Sequence, residues 1–230
     1  MAKILVKTCI KRLTQCKFLL YNNFIARKGE GLLEHYFTNN ENLKSKIRII
    51  KYDYKGQSFE FLSDNGVFSK NKVDYASKVL VETFIENHNN ILGKTLLDVG
   101  SGYGFLGIVA GKILNLDVDL IDINKRALHL CERNIKLNEV KGKAYESNLY
   151  ECVKNKYEYI ISNPPIRAGK ETVMGILKGA REHLLDGGEL WFVISKDQGA
   201  KSTKKALEEL YNVEVLAKSK GFFVFRAKVA

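Results

Sequence analysis

The chain has 230 residues, of which 45% are hydrophobic and 27% are charged, and its lysines and arginines outnumber its acids by 37 to 26. This composition is typical of a globular protein with a hydrophobic core. Two prolines and 18 glycines exclude a collagen-like, proline-rich or disordered chain. The longest stretch without a charged residue, 99–111, is shorter than the about 20 apolar residues that span a bilayer, so we expect no membrane-spanning segment.

The spacing of cysteines and histidines argues against disulfides and metal sites. None of the four cysteines belongs to a Cys-x-x-Cys pair, and the four histidines are never three to five residues apart. Neither a disulfide framework nor a zinc site is therefore predicted, and we expect reduced thiols, a cytoplasmic location and no bound metal. The net charge of +11 indicates a polyanionic partner such as nucleic acid, because a basic surface attracts it and releases its counterions.

The first 30 residues are strongly basic and contain a single acid, Glu30. We predict that 1–34 is a poorly ordered leader outside the fold, although an organelle-targeting helix or an arm that binds RNA has a similar charge pattern. Residues 35–92 are predicted to form a unit of one hairpin and one helix. The core domain is predicted to occupy 93–230.

The predicted hairpin consists of 46–54 and 58–62, in which apolar residues alternate on either side of a turn that contains Gly56. Asp74 is the predicted N-cap of the helix that follows, because apolar residues then recur at helical spacing.

Strands and helices alternate through the remainder of the chain. Predicted strands are 95–99, 118–123, 143–147, 157–162 and 189–195, predicted helices are 105–114, 125–137, 171–185 and 203–211, and two extended runs follow at 213–217 and 222–228. Alternating β and α segments with nearly continuous apolar strands predict an α/β fold, a mainly parallel sheet covered on both faces. The last two runs are predicted to add an antiparallel hairpin.

A glycine-rich loop follows the first strand of this sheet. Asp98 precedes Gly100, Gly102 and Gly104, and this spacing brings the amino terminus of a helix against a bound ligand. Asp122 ends the next strand, about 20 residues further on, where a carboxylate accepts hydrogen bonds from a ribose diol. Together these residues predict a nucleoside-binding crevice.

The glycine spacing alone does not identify which nucleoside binds, because 102–107 also satisfies the dinucleotide fingerprint Gly-x-Gly-x-x-Gly. Two features favour S-adenosylmethionine over a dinucleotide. Asp98 lies two residues before the first glycine and can hold a cationic methionine end. The sequence Asn163-Pro164-Pro165 at the end of a later strand has no role in hydride transfer.

The Asn-Pro-Pro sequence is the most specific signal in the chain. Two prolines lock the backbone and push Asn163 into an extended conformation, which presents its side chain rigidly. Its amide oxygen and a fixed backbone carbonyl are suited to accept both N–H bonds of a planar exocyclic amine.

These stretches resemble class I S-adenosylmethionine-dependent methyltransferases, and within them the RsmC-like methyltransferases of guanine N2 in small-subunit ribosomal RNA. The resemblance extends from about His35 to the carboxyl terminus. It rests on five stretches, 64–69, 97–104, 122–124, 147–150 and 162–170. It implies a Rossmann-like sheet, S-adenosylmethionine as cofactor, and ribosomal RNA or the small ribosomal subunit as partner.

On the cofactor side, the resemblance implies that Asp98 and the loop Gly100 to Gly104 hold the methionine end. Asp122 is the implied ribose carboxylate, and Asn148 occupies the position that contacts adenine. Phe68 is predicted to line the same pocket.

On the target side, the predicted catalytic residues are Asn163, Pro164, Pro165 and Ile166, and the resemblance implies that Asn163 holds the amine. Ile166 follows the prolines, at a position where amine methyltransferases often have an aromatic residue. We therefore expect a different side chain to stack on the target base, and Phe68 is the candidate. Phosphate contacts are expected from basic residues near the crevice. These are Arg167, Lys170, Lys201, Lys204 and Lys205.

Three other functions stay open at this point. A methyltransferase for protein glutamine faces the same geometric problem, because a carboxamide also presents a planar amine. A dinucleotide-dependent oxidoreductase needs another use for Asn163. An RNA-binding protein without catalysis is the third alternative.

Overall fold

Residues 43–88 and 94–229 are described by a computed structural model of the chain. The predicted leader, 1–34, and the predicted boundary between residues 92 and 93 lie outside these residues. Both therefore stay predictions.

The predicted hairpin is present. Strands β1 (Arg48–Tyr54) and β2 (Gln57–Ser63) pair antiparallel. Lys55 and Gly56 form the turn with positive φ angles of 49° and 75°, as the favoured two-residue turn of a twisted hairpin requires. One face of the hairpin is buried through the side chains of Ile50, Tyr52, Phe59 and Phe61.

Helix α1 (Tyr75–Glu86) begins at the predicted cap, where the Asp74 side chain accepts a hydrogen bond from the Ser77 N–H at 2.8 Å. A cap of this kind satisfies one of the free N–H groups of the first turn. Beyond the other end of the helix, His88 Nε2 lies 3.1 Å from the buried carboxylate of Glu189. Both ends of α1 are thereby held in place.

Helices cover both faces of a seven-stranded sheet. Its strands are β3 (Thr95–Val99), β4 (Asp117–Asp122), β5 (Gly142–Glu146), β6 (Tyr157–Ser162), β7 (Leu184–Ser195), β8 (Tyr211–Ser219) and β9 (Phe222–Val229), and its helices are α2 (Phe105–Leu114), α3 (Lys125–Leu137), α4 (Lys170–Gly179) and α5 (Ala200–Leu207). The strand order is β5-β4-β3-β6-β7-β9-β8. The first five strands in this order are parallel, and β9 is antiparallel to both of its neighbours, β7 and β8. The predicted mainly parallel sheet with a terminal hairpin is confirmed.

Two predicted helix boundaries are wrong. The helix predicted for 171–185 ends at Gly179, because Leu184 already pairs with Tyr157 as part of β7. Leu184 keeps the helical spacing of the preceding apolar residues, so periodicity alone extends the helix too far. The helix predicted for 203–211 occupies 200–207 instead.

Successive strand residues face two separate hydrophobic clusters. Leu96, Leu120 and Ile161 belong to the cluster that also contains the hairpin and α1. Leu97 and Ile121 belong to the cluster under α4 and α5. No helix within the described ranges is long and apolar enough to cross a membrane.

Asn134 of α3 and Asn138, which caps the carboxyl end of that helix, hold the hairpin. Asn134 accepts a hydrogen bond from the Leu62 N–H at 2.8 Å and donates to the Leu62 carbonyl at 3.0 Å. It also donates to the Tyr103 carbonyl at 2.8 Å, and one turn later Asn138 donates to the Glu60 carbonyl at 2.9 Å. The helix thus completes the free backbone edge of β2 with side-chain amides.

We predict that Asn134→Ala lowers the free energy of unfolding by roughly 1–3 kcal/mol, since it leaves partly buried backbone groups without partners. Urea denaturation measures this loss. Lys136→Ala, at an exposed position of the same helix, is the control and is expected to change stability by no more than about 0.5 kcal/mol. Equal effects of the two substitutions would contradict this role for Asn134.

Candidate cofactor and substrate site

The glycine loop lies at the carboxyl ends of β3 and β4. The N–H groups of Gly100 and Ser101 both donate to the Ile121 carbonyl, at 2.9 and 3.0 Å, so the loop turns back over the end of the neighbouring strand. A Cβ at Gly104 would lie 2.8 Å from Ile108 and 3.0 Å from Leu120, whereas positions 100 and 102 have open space. Only glycine fits the turn into α2, and the open side leaves room for a ligand.

Asp98 lies beneath this loop with its side chain fully buried. One carboxylate oxygen accepts the Gly107 N–H of α2 at 2.9 Å, and the other has no hydrogen-bond partner within the described part of the chain. Burial raises the pKa of Asp98 to about 7, the Gly107 hydrogen bond opposes this rise, and the charge of Asp122 adds to it. The site therefore contains an unsatisfied acceptor that a cationic group would stabilise.

Asp122 connects the loop to the next helix. Its carboxylate accepts the Gly102 N–H at 2.9 Å through one oxygen and the Asn124 N–H at 2.8 Å through the other. Burial raises its pKa, although these hydrogen bonds act in the opposite direction. The fold thus brings both predicted acids to one edge of the sheet.

Cys131 on α3 contacts the loop, and no local sequence pattern predicts this contact. Its thiol is fully buried and donates to the Gly102 carbonyl at 3.1 Å. Burial raises the pKa of the thiol well above its ordinary value. A protonated, enclosed thiol serves as a donor and a packing group.

The segment 64–69 is held beside the same edge. Arg126 Nη1 lies 3.2 Å from the buried carboxylate of Asp64, and the Asn124 side chain donates to the Gly66 carbonyl at 2.9 Å. The backbone N–H of Asn124 donates to Asp122, so Asn124 connects this segment to that acid. Phe68 is half-buried within it.

Asn163 follows β6 at the centre of the sheet. Its amide nitrogen donates to Ser77 Oγ at 2.8 Å and to Asp74 Oδ2 at 3.1 Å. The preceding Ser162 donates to the Val99 carbonyl at 2.8 Å, which ties this position to the start of the glycine loop. The sequence predicted a helix cap at Asp74 but not this contact, because the residues are far apart in the chain.

The neighbours of Asn163 are oriented differently. Pro164 is buried and Pro165 is half-buried. Ile166 begins a short 3-10 turn, Ile166–Ala168, and packs against the cluster under α4. Its side chain thus contributes to the core on that side of the sheet.

Asn148 lies at the carboxyl end of β5, the edge strand beside β4. Its side chain is exposed and donates to Glu151 at 2.9 Å. The fold places it at the same edge as the acids, and its contact with adenine stays a prediction. Within 43–88 and 94–229, metal-binding side chains do not come together in groups of three or more.

Comparison with known proteins identifies the family. The family model of the methyltransferase small domain matches residues 58–226. The chain belongs to this family. The resemblance drawn from its motifs is thereby confirmed.

Two relatives show how far the similarity extends. The chain is 39% identical over 200 residues to the Bacillus subtilis (strain 168) protein named "Uncharacterized protein YbxB". This match covers 85% of this chain and 98% of that protein. It is 30% identical over 185 residues to ribosomal RNA small subunit methyltransferase C of Vibrio cholerae, covering 76% of this chain and 51% of that protein. The chain spans about half the length of this second relative.

Solved structures share the fold. The 16S rRNA N2 G1207 methyltransferase (RsmC) of T. thermophilus, in complex with AdoMet and guanosine, superimposes with a TM-score of 0.74 at 24% identity, over 82% of this chain and 52% of that one. Ribosomal protein L11 methylase of Lactobacillus delbrueckii superimposes with a TM-score of 0.61 at 21% identity, over 68% and 80%. The predicted class I methyltransferase fold is confirmed.

S-adenosylmethionine is the cofactor of this methyltransferase, as its family indicates. The residues at the edge fit it. An unpartnered buried carboxylate oxygen on Asp98 matches a cationic methionine end, and open space lies over the glycines.

We predict that Asp98→Asn changes how the stability of the cofactor-free protein depends on pH. Because the pKa of Asp98 is raised to about 7, its ionisation opposes folding. This penalty is absent at low pH, grows as the pH rises above the unfolded-state pKa, and is complete above about 7. Relative to the variant, the wild type should lose about 2–3 kcal/mol of unfolding free energy between about pH 5 and 8.

Urea denaturation at both pH values measures this difference. Asp117→Asn, a carboxylate at the opposite end of β4 that pairs with Lys141, controls for loss of a charge. A difference between wild type and Asp98→Asn that does not change with pH would contradict the prediction.

Proposed function

We propose that this methyltransferase transfers a methyl group from S-adenosylmethionine to the exocyclic N2 of a guanine in small-subunit (16S) ribosomal RNA. The observation that carries the proposal is the amide of Asn163. Both of its N–H groups are used by Ser77 and Asp74, so its oxygen is left as an acceptor at the edge that holds the glycine loop. An exocyclic amine is the donor that matches it.

We assign the cofactor contacts to the two acids and the loop between them. Asp98 and Gly100 to Gly104 hold the methionine end, and Asp122 accepts from the ribose hydroxyls with the lone pairs that its backbone contacts leave free. Asn148 contacts the adenine ring. Phe68, on the segment held by Asn124, lines the pocket and stacks on the target base.

The reaction needs positioning more than it needs a nucleophile. When bound, S-adenosylmethionine supplies a methyl group that its sulfonium activates. Asn163 accepts a hydrogen bond from the target amine, and Pro164 and Pro165 keep the backbone beneath it rigid, so the amine is oriented before reaction. Holding a reactant in one geometry removes much of the entropic cost of the barrier.

An RNA partner is supported by charge and by the relatives. The net charge is +11, and Arg167, Lys170 and Lys201 are exposed next to the carboxyl edge of the sheet. Lys204 pairs with Glu208 and is the weaker candidate for a phosphate contact. The relative from Vibrio cholerae is named a ribosomal RNA small subunit methyltransferase. We accordingly propose that the activity is cytoplasmic.

Asp122→Ala tests the cofactor site. Loss of charge-assisted hydrogen bonds to the ribose is expected to weaken S-adenosylmethionine binding by about 1.5–3 kcal/mol, measured by titration calorimetry. Asp117→Ala removes the same charge from the other end of β4 and should bind as wild type does. Wild-type protein that bound NAD as tightly as S-adenosylmethionine would overturn the assignment.

Asn163→Ala tests the target site. Methyl transfer is expected to slow by about 10²- to 10³-fold, because a preorganised hydrogen-bonding group at the reacting centre is lost, while cofactor affinity stays nearly unchanged. Single-turnover rates with labelled cofactor and small ribosomal subunits from a gene-deletion strain measure the effect, and mapping the label identifies the nucleotide. Asn155→Ala, at an exposed position before β6, is the control. A rate within about threefold of wild type would remove Asn163 from the mechanism.

A further inference from the structure

The amino terminus of α1 contacts the proposed target site through two side chains. Asp74 Oδ2 accepts from the Ser77 N–H at 2.8 Å and from the Ser77 hydroxyl at 3.1 Å, and it also accepts from the Asn163 amide at 3.1 Å. Ser77 Oγ accepts from the same amide nitrogen at 2.8 Å. Asp74, Ser77 and Asn163 thus form one closed set of hydrogen bonds.

The carboxylate determines which way the amide of Asn163 faces. An ionised carboxylate only accepts hydrogen bonds, so the amide group that meets Asp74 must be its nitrogen. The Ser77 hydroxyl donates to Asp74, which leaves its lone pairs free to accept from the second amide N–H. Rotating the amide by half a turn would place its oxygen against the carboxylate and lose both bonds. The oxygen of Asn163 is therefore the atom that remains for a substrate.

A helix cap alone does not require this arrangement. Asn124 caps α3 with its side-chain oxygen, which accepts from the N–H groups of Arg126 and Ala127 at 3.0 and 3.2 Å. A neutral amide thus caps a helix in the same protein. The contact to Asn163 is what distinguishes Asp74 from an ordinary cap.

We propose that Asp74 and Ser77 are positioning residues that hold Asn163 as a hydrogen-bond acceptor, so that the site takes an amine that donates and disfavours a target that only accepts. The inference rests on the proposed role of Asn163 toward its substrate. It gives α1 a part in the reaction, although Asp74 and Ser77 act through Asn163.

The first test compares two hydroxyl deletions on the same helix. Ser77→Ala removes an acceptor of the Asn163 amide, whereas Thr83→Ala removes a hydroxyl that donates only to the Val79 carbonyl, at 2.7 Å. A misoriented Asn163 should slow single-turnover methyl transfer to small ribosomal subunits by roughly 10- to 100-fold in Ser77→Ala. Thr83→Ala should stay near wild type. Titration calorimetry with S-adenosylmethionine should give the same affinity for both variants.

The second test uses charge. Asn163→Asp keeps an acceptor oxygen but places two carboxylates against each other, where the amide nitrogen now lies 3.1 Å from Asp74. Like charges at that distance repel strongly. The added change Asp74→Asn removes the repulsion and retains a good helix cap. We expect the double variant Asp74→Asn, Asn163→Asp to be at least about tenfold faster than Asn163→Asp alone.

The outcomes separate this inference from the proposed function. A Ser77→Ala rate equal to that of Thr83→Ala, or a double variant no faster than Asn163→Asp, would overturn the positioning role while a slow Asn163→Ala left the proposed function standing. An Asn163→Ala variant at wild-type rate would instead remove the proposed function of that site and the inference with it. A role for Asp74 as a helix cap alone predicts no rescue, because asparagine retains the cap and the double variant would then be no faster than Asn163→Asp.

Discussion

The carboxylate of Asp122 is the contact through which the candidate site is assembled. One oxygen holds the glycine loop through Gly102, and the other holds Asn124, the residue that caps α3. Asn124 in turn binds the carbonyl of Gly66, so the segment with Phe68 is placed by the same chain of contacts. A single half-buried acid thus links three separate stretches of sequence, and its pKa is raised by desolvation although the linking hydrogen bonds act in the opposite direction.

The β1–β2 hairpin and α1 also belong to the framework that positions the candidate site. Phe84 of α1 lies edge-on to Tyr159 and Trp191 of the sheet, at ring distances of 5.4 and 5.3 Å, and the helix is fixed beyond one end by His88 and at the other by Asp74. A helix anchored at both ends is a rigid support, which is what a positioning residue needs. In addition to covering the sheet with the hairpin, α1 therefore carries the proposed positioning residues Asp74 and Ser77 to it.

The sequence predicts those parts of the site that follow from local pattern. Alternating segments place the carboxyl ends of β3, β4 and β6 together, and the glycines, Asp122 and Asn163 are found there. The contacts of Asn163 with α1 could not be predicted, because no local pattern relates residues 86 and 89 positions apart. Asn134 looks like a solvated helix residue, and only the packed hairpin reveals its partners. The error at Leu184 arose because strand and helix both favour an apolar residue there.

The electrostatics of the glycine loop also bear on the choice between S-adenosylmethionine and a dinucleotide, which the glycine spacing leaves open. A dinucleotide would bring a doubly charged pyrophosphate to the loop, above the carboxylates of Asp98 and Asp122, both of which already have raised pKa values. Added negative charge would raise the cost of keeping them ionised. A methionine end brings an ammonium and a sulfonium, and an ammonium near the unpartnered oxygen of Asp98 would lower that cost. The same buried charge that destabilises the cofactor-free loop therefore favours a cationic ligand over an anionic one, and it does so with residues that the dinucleotide fingerprint does not include.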